Sequence, residues 1–149
     1  MDKKPLLILF EENELNIASL YSLFAQKIPT KHNFWFRLSQ EEISHADSIR
    51  NQSDIIDAIT ENNFSRGVVN HVMGFVLKEI KKTQQEKVTH HEALLTALRI
   101  ERSMLEKKCF EIFIPINKRV QDMLCKLNSE TERHVEILTE EMKKNKFVF

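Results

Sequence analysis

LSQEEISHADSI, residues 38–49, recurs in near copy as LNSETERHVEIL, residues 127–138. Superposed, Leu38 meets Leu127, Glu41 meets Glu130, His45 meets His134 and Ile49 meets Leu138, while Thr131 stands opposite Glu42. Residues three or four apart share a helical face, so Glu42 and His45 lie on one side of their helix. A carboxylate and an imidazole on one face, echoed in a second helix, is how helical bundles assemble metal sites. The exchange of Glu42 for Thr131 takes one carboxylate out of the second copy.

The composition around these segments is helical. A chain of 149 residues fits a single domain spanning 1–149, large enough for a real core. Only two glycines and three prolines, in a chain rich in Leu, Ile, Glu and Lys, predict an all-α protein. Basic and acidic residues balance at 22 each, which argues against nucleic acid or an anionic membrane surface as partner. The longest apolar run, Leu6–Phe10, is too short to span a bilayer and no cleavable signal is evident, so the expected location is cytoplasmic. Cys109 and Cys125 form no Cys-x-x-Cys, and small core residues are the simplest expectation for both.

Punctuation divides the chain. Pro5 opens a first helix that runs to about Gln26–Ile28, where Pro29 stops it. Thr30 is the expected cap of a second helix, through Trp35, Glu42 and His45 to Gln52 or beyond. Asp54–Asn63 has a helical pattern of its own. Ser65–Lys82 reads as a crossover helix with Val69, Val72, Val76 and Ile80 on one stripe. Thr89 and Glu92 form a capping-box pattern for a third main helix ending near Pro115, and a fourth runs from about Lys118 to Lys144. Four long helices with one long connection in the middle fit an antiparallel bundle of two hairpins.

The inward stripes carry the functional argument. They step through Phe10, Glu14, Ile17, Tyr21, Phe24 and Ile28; through Trp35, Leu38, Glu42, His45, Ile49 and Gln52; through Leu94, Leu98, Glu101, Leu105 and Ile112, with Lys108 intruding; and through Val120, Leu124, Leu127, Thr131, His134 and Leu138. Such stripes are normally apolar, yet each is broken near its middle by a polar or ionisable side chain. Breaks at one depth meet as a polar layer. A buried, ionised carboxylate costs on the order of several kcal/mol unless a cation or hydrogen-bond network compensates it. Three converging carboxylates call for positive charge, and a metal ion supplies it.

With these positions in hand, the chain resembles the ferritin-like superfamily and most of all its rubrerythrin branch, over nearly its whole length. In that family two helices give one Glu each and two others give Glu-x-x-His, together binding two irons. By resemblance, the metal ligands are Glu14, Glu42, His45, Glu101 and His134, with Tyr21 and Thr131 beside them and Glu130 available to swing in as a further ligand. The implied fold is a ferritin-like four-helix bundle with a long helical crossover between its second and third helices. The implied cofactor is iron, one or two ions. The implied activity is a rubrerythrin-like peroxidase or ferroxidase reaction with oxygen or peroxide, using electrons from a separate donor.

Three positions depart from the family pattern. Thr131 replaces a bridging Glu, Met104 stands where rubrerythrins carry a further Glu, and the rubredoxin-like Cys-x-x-Cys pairs are absent from the sequence. They motivate an alternative: a non-enzymatic ferritin-like module with a degenerate metal site, acting by dimerisation or partner binding. Val68 and Phe75 add apolar surface to the crossover helix, so a homodimer or higher homo-oligomer through that helix is expected. His32, His71, His90 and His91 lie off the stripes or near helix ends, where surface or capping roles are expected. Glu41 and Glu130 sit one residue off the stripes, about 100° around the helix, where a solvated flank is the ordinary position.

Overall fold

Helix α1, Leu6–Lys27, begins directly after Pro5, whose carbonyl accepts the N–H groups of Ile8 and Leu9. It ends at Ile28, whose N–H bonds back to the Phe24 carbonyl, because Pro29 has no N–H with which to continue the ladder. A short 3₁₀ turn, Pro29–Lys31, leads into α2, His32–Arg50. Thr30 lies inside that turn and no side chain caps α2, which corrects the expected Thr30 cap. Helices α3 (Asn63–Gln85), α4 (His90–Glu106) and α5 (Lys118–Lys144) follow.

The computed structural model describes residues 4–51, 59–60, 63–106, 114–115 and 118–149, with side chains for 4–51, 66–104 and 118–149. Gln52, Leu105, Lys108, Cys109 and Ile112 therefore lie outside the described side chains, as does most of the expected piece Asp54–Asn63. Among the described residues the protein is all-α apart from a two-residue antiparallel ladder, β1 (Ile59–Thr60) against β2 (Ile114–Pro115). Pro115 is in extended chain, and the described part of α4 stops at Glu106.

Both ends of the α4–α5 pair are built by local chemistry. The expected capping box is formed: the Glu92 N–H donates to Thr89 Oγ1 at 3.1 Å and the Thr89 N–H donates to Glu92 Oε1 at 3.0 Å. At the C-terminus of α5, Lys146 adopts a left-handed φ of 57°, the Phe147 N–H reaches the Met142 carbonyl and the Lys146 N–H reaches that of Lys143. This Schellman closure folds Phe147 back over His90 and His91.

Helix α1 packs along α2 and α3, and α4 along α5, with thinner contacts joining α3 to α4 and α2 to α5. Every stripe residue of α1, α2, α4 and α5 whose side chain is described is buried, from Phe10 to Leu138, and in α3 Val69, Val72 and Val76 are buried while Ile80 is half-buried. Tyr21, Phe24, Phe34 and Trp35 pack as an aromatic cluster between α1 and α2, and Ser39 pins α2 to α1 by donating to the Ala18 carbonyl at 2.8 Å. Val68 is buried within the chain and Phe75 is half-buried beneath the Arg99 guanidinium, while Leu77 stays exposed on α3. Cys125 is exposed, which corrects its expected place in the core. Among the described residues no helix is long and apolar enough to cross a membrane.

Candidate metal centre

Glu14 lies in α1 between Phe10 and Ile17, Glu42 and His45 in α2, Glu101 in α4, and Thr131 and His134 in α5. Helical periodicity that turns the flanking Leu and Ile side chains inward turns these inward too. None of the six is more than 4% exposed. The structure brings the five ionisable ones into two groups, Glu14, Glu42 and His45, and Glu42, Glu101 and His134, each with its ligand-type atoms within 4.8 Å of one another. Glu42 belongs to both. Oxygen and nitrogen donors about 2.0–2.2 Å from a small ion lie up to roughly 4.4 Å apart when opposed, so either group is near the size of one coordination shell.

The two imidazoles are oriented alike. His45 turns Nδ1 toward Glu42 Oε2 at 3.2 Å and Glu14 Oε2 at 3.8 Å. His134 turns Nδ1 toward Glu42 Oε1 at 3.0 Å and Glu101 Oε1 at 3.3 Å. Each oxygen of Glu42 therefore faces a different histidine. Tyr21 donates its hydroxyl to Glu101 Oε1 at 2.9 Å. Both oxygens of Glu14 are buried without a hydrogen-bond partner. An unpartnered carboxylate at that depth is costly, and either a proton or a cation relieves it.

Protons hold part of the charge balance in this arrangement. Burial, reinforced by the neighbouring Glu42, raises the Glu14 carboxyl to about 8. Burial by itself pushes the His45 imidazole down, but Glu14 and Glu42 outweigh it and raise the group to about 11. Burial likewise acts downward on His134, and Glu101 with Glu42 raises it to about 10. Burial and Glu101 push Glu42 upward, yet its contacts with Glu14, His134 and His45 leave it below the ordinary carboxylate value. Burial, then the adjacent carboxylates, lift the Tyr21 hydroxyl well above its usual range. At neutral pH two imidazolium ions and a proton on Glu14 occupy the role that metal charge would fill.

Glu41 and Glu130, expected on a solvated flank with Glu130 able to swing in, both lie against the histidines of the layer. Glu41 places Oε1 3.2 Å from His134 Nε2, and Glu130 contacts His45 Nε2, though out of line for a hydrogen bond. Glu41 also pairs with Arg133 and lies 3.9 Å from Arg37. The repeat explains the pattern, since each flank glutamate reaches across to the histidine of the other copy. With Nδ1 inward and a carboxylate beside Nε2, each ring has the orientation that metal ligation uses once its Nδ1 proton is lost. Thr131 does not join them: its hydroxyl donates to the Leu127 carbonyl at 2.9 Å, within its own helix. Glu41→Ala should lower metal affinity by about 10–100-fold, read by competition against a chromophoric chelator. Unchanged affinity would place Glu41 outside the site.

His90, expected in a surface or capping role, is instead an interior residue. It is buried at the start of α4, accepts the Trp35 indole N–H at Nδ1 and contacts Glu141 through Nε2. The readable sign was Trp35 itself, a stripe residue whose N–H needs an acceptor once buried.

No protein-family model matches the chain, and no curated protein and no solved structure matches it.

Proposed function

We propose that this protein is a ferritin-like four-helix bundle, crossed by α3, that binds two divalent metal ions sharing Glu42. Glu14 and His45 would complete one position, and Glu101 and His134 the other. The observation that carries this reading is the burial of two ligand-sized groups, Glu14, Glu42 and His45, and Glu42, Glu101 and His134, which meet at Glu42. Hard carboxylate oxygens with one imidazole per position suit iron. Bound iron would supply one-electron chemistry with oxygen or peroxide, fed by a separate electron donor. The chain's own part is to place the donors, to exclude bulk water by burial, and to surrender the protons on Glu14, His45 and His134 when a cation enters.

The second reading is a degenerate site in a partner-binding module. On its side stands the protonation of His45 and His134, which already offsets carboxylate charge without a metal. It does not account for two ligand-sized groups that share Glu42, and we favour the metal reading for that reason. Assembly through α3 would have to use Leu77 and its rim, because Val68 and Phe75 are engaged within the chain.

The charge count makes the two positions unequal. Three carboxylates leave two divalent ions with one net positive charge, and the Thr131 hydroxyl is neutral and already bonded to Leu127. The Glu14, Glu42 and His45 position should fill first. The Glu101 and His134 position should need water or a small anion to complete it, because Glu130 lies against His45 of the other position. Thr131→Glu should raise metal stoichiometry toward two per chain, by metal analysis after anaerobic Fe(II) loading. Equal, tight filling of both positions in the unmodified protein, with neither Glu130 nor an anion as ligand, would overturn the charge argument.

A further inference from the structure

A continuous line of buried side chains leads from the Glu/His layer to the surface. Tyr21, bonded to Glu101, is fully buried and its ring lies 5.5 Å from that of Trp35, centroid to centroid. Trp35, also fully buried, donates its indole N–H to His90 Nδ1 at 3.1 Å, with the rings 5.8 Å apart. His90 Nε2 lies 2.8 Å from Glu141 Oε2, and Glu141 is held by Lys31 Nζ at 3.3 Å. Glu141 lines two surface grooves of about 730 and 310 Å³, which also share Phe34 and Lys144.

The proton positions along this line are fixed by chemistry. An indole nitrogen only donates, so His90 Nδ1 is the acceptor and the neutral ring carries its proton on Nε2, aimed at Glu141. Burial lowers the His90 pKa despite the opposing pull of Glu141, which keeps the ring neutral. Burial acts upward on Glu141, but His90 and Lys31 outweigh it and keep the carboxylate ready to accept. Nothing in the packing alone asks for this arrangement, since a Phe at position 35 would need neither His90 nor Glu141.

Resting on the metal reading for its electron acceptor, we infer that Trp35 is a one-electron relay between the Glu/His layer and the surface, with His90 and Glu141 as its proton acceptors. In one step the indole loses an electron toward the layer, through the adjoining Tyr21 ring and its hydrogen bond to Glu101. The Nε1–H bond breaks and its proton goes to His90 Nδ1, as the Nε2 proton of His90 passes to Glu141. The product is a neutral indolyl radical. A one-electron reductant at the surface returns the electron, and the proton runs back from Glu141 through His90. Tyr21 keeps its proton throughout. The acceptor is an oxidised metal ion in the layer, and the donor is an external one-electron carrier.

The chain holds a single Trp and a single Tyr, so any indole radical is that of Trp35. The test is flash photolysis of the metal-free protein with a ruthenium(II) polypyridyl complex and a sacrificial quencher, whose photogenerated ruthenium(III) removes one electron. The neutral indolyl radical should form, with slower formation in deuterated solvent. In His90→Gln, which keeps the hydrogen bonds but not the basicity, its formation should slow on the order of a hundredfold. Glu141→Gln should slow it less. Absence of the radical, absence of a solvent isotope effect in the unmodified protein, or equal formation in the folded variants would overturn the proposal.

A second arm reads the inward end. In iron-loaded protein, Trp35→Phe should retain its metal but lose the fast phase of reduction of the oxidised metal by an external one-electron reductant. An unchanged fast phase would overturn the link between Trp35 and the layer. Absence of retained metal in the unmodified protein would overturn the proposed function and remove the relay's acceptor, a result distinct from failure of the radical arm.

Discussion

Glu42→Gln is expected to abolish metal binding at both positions, bringing metal content to background, whereas Glu14→Gln should remove only one. The difference follows from geometry, because Glu42 alone belongs to both groups and sets one oxygen against each histidine. The same substitution should destabilise the metal-free fold. It leaves His45 and His134 buried as imidazolium ions without their shared carboxylate, and breaking a buried pair typically costs about 3–5 kcal/mol. Metal analysis and urea unfolding of the two variants read both effects. One tightly held ion per chain in Glu42→Gln, or a metal-free variant more stable than its parent, would count against the shared role.

Metal binding should release about three protons per pair of ions at pH 7, from Glu14, His45 and His134, whose pKa values are raised to about 8, 11 and 10. Calorimetric titration in buffers of different ionisation enthalpy measures that number. Overall affinity for filling both positions should fall by roughly a thousandfold from pH 7 to pH 6, about tenfold for each proton displaced. The metal-free protein should show the complementary trend. The folded state binds these protons more tightly than the unfolded chain, with ordinary values of 4.5 for Glu and 6.5 for His. The Glu14 contribution is full below pH 4.5 and is lost as pH rises toward 8. The histidine contributions are full below pH 6.5 and are lost as pH passes through 10–11. Thermal melting of the metal-free protein should therefore occur at lower temperature at pH 9 than at pH 6. Proton release near zero on metal binding would show that the ions bind elsewhere.

What could be read from the sequence was what local chemistry and periodicity control. Pro29, the Thr89–Glu92 box and the Lys118–Lys144 pattern set helix ends that the structure reproduces. The stripes placed Glu14, Glu42, His45, Glu101 and His134 in the interior because burial follows the helical repeat. Features that depend on tertiary reach were harder to see. Glu41 and Glu130 sit off the stripe, but a glutamate there is long enough to cross to a neighbouring helix, and only the aligned repeat hinted at that reciprocity. His90 looked like a helix-start residue, and its burial depends on Trp35 from α2 and Phe147 from the chain's end. Thr30 failed as a cap because Pro29 tightens the chain into a 3₁₀ turn around it. The β1–β2 ladder joins two-residue pieces far apart in sequence, too short for any alternation to reveal.

Metal analysis of protein produced without an affinity tag, purified without chelators and loaded anaerobically with Fe(II) tests the metal site most directly. If Glu42 joins two metal positions, the unmodified protein retains between one and two irons per chain after desalting, and Glu42→Gln retains none. Iron at background in the unmodified protein would contradict the metal reading and leave the protonated histidines as the layer's only counter-charge.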